Sequence, residues 1–290
     1  MWDKRGFQIS ILLLLAFVWG SSFILIKIGL KSFTSEQAAA IRMLLASLFL
    51  LPVSYRNLKH LQKKDLGYLL IVGFVGSFIP AFLFTKAQTH IDSALAGMLN
   101  SLTPVFTLLI GLIVFKLRFL KKQVIGLFLG LVGAVGLIIA GEDISFRNVN
   151  AYALLVILAT TMYATNINIV KAKLYHLNGI QITSLSFMFL WPVALIMMFT
   201  MDFSPALQNP DWPLHFAALA ILGIVGTAAA MLLMNSMIRR VSTIFASSVT
   251  YIIPIFAILW GVVDGELITM HHLGSMAIVL LGVYLISRKK

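Results

Sequence analysis

Arg42 is the residue of this 290-residue chain whose type and place carry most chemical potential. It lies some seven residues inside an apolar run, roughly 10 Å from the end of a helix rising 1.5 Å per residue. A charge at that depth is costly and usually faces a bundle interior or a water-filled cavity. There it can anchor a carboxylate or phosphate, or act as a gate charge. It can equally snorkel, or tether helices through backbone carbonyls. Both readings stay open on sequence alone. Lys27 and Lys86 sit nearer the ends of their runs and read as snorkelling side chains, although with Arg42 they could form a positive outer vestibule.

The neutral groups at similar depth are Ser21, Ser22, Asn100, Thr103, Thr161, Tyr163, Thr165, Asn166, Asn168, Asn235, Thr250 and Tyr251. Such groups hold membrane helices together at about 0.6 kcal/mol each. They are also what a neutral or zwitterionic solute needs, and Trp19, Phe78, Phe82, Tyr163 and Tyr251 would give it an apolar wall. The candidate substrate-binding set is therefore Trp19, Ser22, Arg42, Phe78, Phe82, Asn100, Pro104, Tyr163, Asn166, Asn235, Thr250, Tyr251 and Pro254.

No Asp, Glu or His lies deep in an apolar run, whereas proton relays usually use buried groups of those types. A carboxylate relay at mid-membrane is not expected. Transport would run by facilitated diffusion or exchange, or couple through groups at helix ends such as Asp264, Glu266 or His271. The chain has no cysteine, which removes thiol catalysis and thiolate metal sites. It has no HExxH, GxSxG, histidine box or intramembrane Asp pair. No catalytic residue, metal or cofactor is assigned, and a polytopic membrane enzyme is the weaker alternative.

The elements that must position these residues follow from composition. The chain is 60% hydrophobic and 11% charged, against about 25% charged in soluble domains. An all-α integral membrane protein is expected. Ten segments reach the roughly 20 residues that a spanning helix needs: about 8–30, 36–55, 66–86, 93–115, 121–141, 150–170, 180–200, 213–237, 243–264 and 271–287. The first is too long for a signal-peptide core and is taken as a retained span. Thr34 to Gln37 fits a capping box opening the second. Pro80, Pro104, Pro192 and Pro254 should kink or locally open their spans. Gly126, Gly130 and Gly133 give the fifth a close-packing face.

Charge sets the orientation. With both termini in the cytoplasm, 17 of the 22 basic residues fall in cytoplasmic segments, Arg239 and Arg240 among them; Lys31, Lys86 and Arg147 fall outside, in line with the positive-inside rule. This also accounts for the net charge of +12 without a nucleic-acid partner; the basic loops touch anionic lipid instead. A multi-pass protein of the cytoplasmic (inner) membrane, monomeric, with a small-molecule substrate, is expected.

The stretch Gly73–Gly111 has an ungapped second copy at Gly223–Gly261. The two share Gly73/Gly223, Val75/Val225, Gly76/Gly226, Leu83/Leu233, Ala96/Ala246, Pro104/Pro254, Phe106/Phe256, Leu109/Leu259 and Gly111/Gly261. Ten spans in two units makes five per unit, residues 1–141 and 142–290. Five is odd, so the second unit must be inverted. Inverted repeats serve alternating access to a site at mid-membrane. Asn100/Thr250 and Pro104/Pro254 occupy matching positions and are the better candidates for its walls.

Several motifs resemble those of one family. Ala16 to Phe23 (AFVWGSSF) is similar to the "WGSxF" opening of EamA-type members of the drug/metabolite transporter superfamily. Ile41 to Ala46 is similar to their "RFLLA", Asn100 to Phe106 to their "LxPVF", Gly265 to Ile268 to their "GExLT", and Leu281 to Leu285 to their "LGVYL". The resemblance covers the whole chain. It implies a ten-helix fold around a central cavity and transport of small metabolites, often export of amino acids or similar solutes from bacteria. The chain departs where the first repeat usually has its own "GE", carrying Phe115-Lys116 instead. The expected function is a secondary transporter exporting a small neutral or zwitterionic metabolite, with a channel-like facilitator as the alternative.

Overall fold

The computed structural model describes residues 5–114, 121–139, 151–238 and 249–287. Phe115-Lys116, Arg147, Arg239, Arg240 and the expected start of the ninth span at 243–248 lie outside them, as do the side chains of Asn235, Thr250 and Tyr251.

Among the described residues every regular element is helical. Eight helices are long and apolar enough to cross a membrane. They are α1 (Gly6–Gly29), α2 (Ser35–His60), α3 (Lys63–Ala87), α4 (Ser93–Ile113), α5 (Lys121–Ile139), α6 (Ala151–Lys173), α7 (Gly179–Thr200) and α8 (Trp212–Met234). Two further apolar helices follow, α9 (Val249–Val263) and α10 (Met270–Ser287). This is a multi-pass membrane protein.

Capping chemistry starts two of these helices. Thr34 Oγ1 accepts from the Gln37 amide N–H at 3.2 Å, and Gln37 Oε1 accepts from the Thr34 N–H at 2.9 Å, as expected from the sequence. Asn178 and Gln181 form the same box at the head of α7. Each satisfies two backbone donors that a helix start leaves without intrahelical partners.

Five spans are irregular at mid-length. α1 is interrupted at Ser21, α4 between Asn100 and Thr103, and α7 between Met188 and Trp191. α3 carries a π-helical turn over Phe74–Phe78 and α8 one over Leu222–Ala229. Pro104 and Pro192 sit just after the breaks in α4 and α7, and Pro80 just after the π-turn of α3. A proline lacks the N–H that would continue the ladder, so the turn before it opens. Pro254 instead lies inside α9 without interrupting it, and so does Pro52 in α2.

Helix pairing crosses the chain. α1 packs on α8 and α9, while α6 packs on α3 and α4; α2 lies against α7, α4 against α9 and α5 against α10. The last pair is held by missing side chains. A methyl group at Gly282 would sit 2.6 Å from the Gly126 carbonyl oxygen and 2.6 Å from the Gly130 nitrogen. One at Gly133 would sit 2.8 Å from the Val279 nitrogen. These are backbone atoms that cannot swing aside, so the expected glycine face of the fifth span is an interhelical seam. Gly282→Ala is expected to force α5 and α10 apart and cost about 1–3 kcal/mol, the usual range for overpacking. A lowered thermal unfolding midpoint in detergent would report it. Gly274→Ala, where no atom lies within 4 Å, should leave the midpoint unchanged.

Candidate substrate-binding site

The π-turn of α8 is the hub of a polar cluster. The Trp19 indole Nε1 donates to the Gly226 carbonyl oxygen at 3.0 Å. Thr227 Oγ1 donates back to the Leu222 carbonyl at 3.0 Å and accepts from Arg42 Nε at 2.9 Å. Ser22 Oγ donates to Val18 O at 3.0 Å and lies 3.3 Å from where a Cβ on Gly226 would be. Tyr163 on α6 is within electrostatic reach of Arg42, and its ring stacks on Phe84 at 6.0 Å between centroids. Spans from opposite parts of the chain thus meet at Arg42. The π-turn permits this because its widened ladder offers carbonyls off the usual register, a geometry often found at functional sites. The close approach needs glycine: a methyl at Gly223 would lie 2.7 Å from the Arg42 carbonyl oxygen.

The π-turn of α3 repeats the pattern. A Cβ on Gly76 would meet the Asn166 amide carbon at 2.5 Å, and a Cβ on Gly73 would lie 2.9 Å from the Ser186 carbonyl oxygen. Asn166 Oδ1 is buried without a hydrogen-bond partner. Asn166 stands one turn from Tyr163 on the same helix, which puts both on one face.

The remaining predicted residues are more scattered. Phe78 is buried in an apolar cluster with Met43, Leu50 and Phe187, and Phe82 packs against that cluster, their rings 5.0 Å apart. Asn100 ends the first half of α4, and its carbonyl accepts from Thr103 Oγ1 at 2.9 Å. Pro104 is partly exposed and Pro254 buried. Several other hydroxyls and amides are absorbed by helix packing: Thr161 and Thr165 bond carbonyls four residues back, and Asn168 bridges to the Thr107 and Ala164 carbonyls. Thr227 and Gly226 were not among the residues picked from sequence, although the Gly76/Gly226 match in the repeat marked the place.

Lys27 and Lys86, at the ends of their spans, both have carboxylate partners. Lys27 Nζ is 2.5 Å from Asp264 Oδ2 and 2.7 Å from Glu266 Oε1, and Lys86 Nζ is 3.4 Å from Glu36 Oε1. Two carboxylates balance Lys27, and Glu36 stands beside the half-exposed Lys86, so the vestibule expected from the three basic residues alone carries acidic groups as well. Arg42 alone of the three has no ion-pair partner among the described residues.

Glu266 does more than balance Lys27. Its Oε1 accepts from the Ser93 N–H at 2.9 Å and the Ser93 hydroxyl at 2.7 Å, and its Oε2 from the Ala94 N–H at 2.9 Å. These are the first amides of α4, whose own N-cap residue, Asp92, makes no side-chain capping bond. A carboxylate from beyond α9 therefore caps α4 and meets its positive end. Gly265, at φ +80°, turns the chain so that this is possible. Its N–H bonds Val262 O at 3.1 Å while the Glu266 N–H bonds Gly261 O at 2.9 Å, a Schellman ending. Burial alone would push the Glu266 carboxyl up, but the bonds from Lys27, Ala94 and Ser93 outweigh it and hold it below the ordinary 4.5. Nearby Asp92 is pushed up, first by burial and then by the negative charge of Glu266. His271 is exposed, and His272 is buried against Thr269.

The model of the EamA-like transporter family matches this chain twice, over residues 6–139 and 150–288. An uncharacterized transporter of Archaeoglobus fulgidus is 25% identical over 275 residues, covering 94% of this chain and 95% of its own. A probable amino-acid metabolite efflux pump of Salmonella typhimurium is 33% identical over 135 residues, 47% of this chain and 43% of its own. One solved crystal structure shares the fold with a TM-score of 0.65 at 15% identity, covering 97% of this chain and 96% of that one.

Proposed function

This chain belongs to the EamA-like transporter family, and from that premise we propose that it is a secondary transporter exporting a small neutral or zwitterionic metabolite of the amino-acid kind. It would work by alternating access between two inverted five-helix units, residues 1–141 and 142–290, as a monomer in the cytoplasmic membrane with both termini inside. The observation that carries this is the pair of π-turns in α3 and α8. Each falls at the same place in its copy of the repeat, and each receives polar groups from the first or sixth span. Inverted-repeat transporters place their sites where such interrupted helices cross.

Other features support the same reading. The family model matches twice. The capping boxes of α2 and α7 fall at equivalent positions, and Gly223 and Gly73 approach the carbonyls of Arg42 and Ser186 in the same way. The Salmonella relative's description supplies the amino-acid direction. Within this reading Trp19, Ser22, Arg42, Tyr163 and Asn166 line the site, with Asn100, Pro104, Phe82 and Pro254 along the path.

The test is purified protein in liposomes preloaded with a panel of amino acids. Saturable uptake of labelled solute against its gradient, driven by counterflow, is the expected result. Conductance without saturation or counterflow would instead make the protein a channel.

A further inference from the structure

We propose that Arg42 is a carboxylate anchor and that the site selects its solute by the carboxylate, with no requirement for a charged α-amine. This rests on the transporter reading above and names the chemistry of its central site.

Arg42 has few partners of its own. Its one hydrogen bond within the described protein is Nε to Thr227 Oγ1. Nε is thereby fixed, and the two Nη nitrogens point onward without partners. They are not sealed off, because the residue stays partly exposed and neither nitrogen is among the buried unpartnered atoms. Were Arg42 a helix tether, its nitrogens would bond backbone carbonyls, and they bond none. A guanidinium held by Nε with its outer edge free presents the parallel pair of N–H groups that matches a carboxylate in bidentate fashion. A lone cation inside a membrane protein is costly unless something pairs with it.

An amine on the solute finds no matching charge. No Asp or Glu lies in the middle of α1, α2, α3, α6 or α8. The nearest candidates on these helices, Glu36 and Asp65, sit at helix starts bound to Lys86 and His176. The acceptor on offer is Asn166 Oδ1, buried and unpartnered, one turn from Tyr163. A neutral carbonyl oxygen can take a hydrogen bond from an ammonium, but it supplies no charge that would make one obligatory. Trp19, bonded to the same π-turn as Arg42, and Tyr163, beside Arg42, are the aromatic side chains at hand for an apolar remainder. Free cations lacking a carboxylate are repelled by Arg42 itself. The favoured class is therefore a small carboxylate with an apolar tail, which widens the zwitterionic class proposed above to include the deaminated anion.

The experiment uses the full-length protein in liposomes and three isosteric probes: L-leucine, its deaminated counterpart 4-methyl-2-oxopentanoate, and L-leucinamide. Counterflow is expected for the two acids and not for the amide. Arg42→Gln is expected to lower kcat/KM for both acids about ten- to hundred-fold, the scale of one hydrogen bond to a charged group; Arg42→Lys should restore part of it. The ligand-free unfolding midpoint of each variant is measured alongside; in Arg42→Gln the lost bond to Thr227 is offset by removal of an unpaired charge, so its midpoint should stay near the parent's, and protection of that midpoint by either acid should vanish. Leucinamide exchanging as fast as leucine, or Arg42→Gln exchanging leucine at the parental rate, would overturn the anchor while leaving the transporter standing. Counterflow by none of the three, with conductance in its place, would remove the transporter reading and this inference together.

Discussion

Glu266→Ala is expected to destabilise the protein by about 3 kcal/mol, the lower end of the range for breaking a buried ion pair. The side chain is 2% exposed. Its removal strands the Ser93 N–H, the Ser93 hydroxyl and the Ala94 N–H at the head of α4, and leaves Lys27 with Asp264 alone. The lower end applies because Lys27 is partly open to solvent, which screens its share. Glu266→Gln keeps the volume and one acceptor oxygen, and should lose less. Thermal unfolding in detergent measures both.

The same carboxylate gives a pH signature. Its pKa is lower in the folded protein than the ordinary 4.5. Folding therefore gains from its ionised form above about that pH, and loses the gain as pH falls through the lowered value. The parent should show this acid-side loss of midpoint below the ordinary carboxylate range, and Glu266→Ala should show less of it. An unchanged midpoint in Glu266→Ala at neutral pH would mean that the cap carries no weight.

Much of this arrangement was legible in the chain. Ten apolar runs, the Thr34–Gln37 box and the prolines at 104 and 192 each depend on residues close in sequence, where spacing and chemistry suffice. The glycines of α5 also announced a seam, because small residues at helical spacing have one physical use in a membrane. Other features were hidden for identifiable reasons. The π-turns are built from FVGSF and LGIVGTAA, which have the same apolar content as an α-helix. Nothing local marks them except the matched Gly76 and Gly226. The partners of Lys27 lie more than two hundred residues away, so a lysine near a helix end reads as snorkelling until the fold brings Asp264 and Glu266 beside it. Glu266 itself looked like a coupling group at a helix end; in the structure three donors of α4 and one lysine occupy its oxygens. Arg42 is visible in the sequence by depth alone, and the fold adds its bond to Thr227 and the lack of a counter-charge among the described residues.

The largest functional effect is expected from locking the two halves at the Lys27 end. Lys27 belongs to the first proposed unit and Asp264 to the second, and their charged atoms meet at 2.5 Å. If that pair closes one mouth of the path, alternating access requires it to part in every cycle. The chain has no native cysteine, so Lys27→Cys with Asp264→Cys gives the sole reactive pair without further engineering. Glu266 remains in place to cap α4. A short bis-methanethiosulfonate reagent spans the two thiols and is removed by reductant, so one preparation supplies the locked and the released protein.

Counterflow in liposomes, measured on this double variant before bridging, after bridging and after reduction, tests alternating access between the two halves most directly. Exchange is expected to drop at least about ten-fold on bridging, because opening at this contact is obligatory for alternating access, and to return on reduction, while either single cysteine variant is indifferent to the reagent. Undiminished exchange through the bridged protein would contradict alternating access between the two halves.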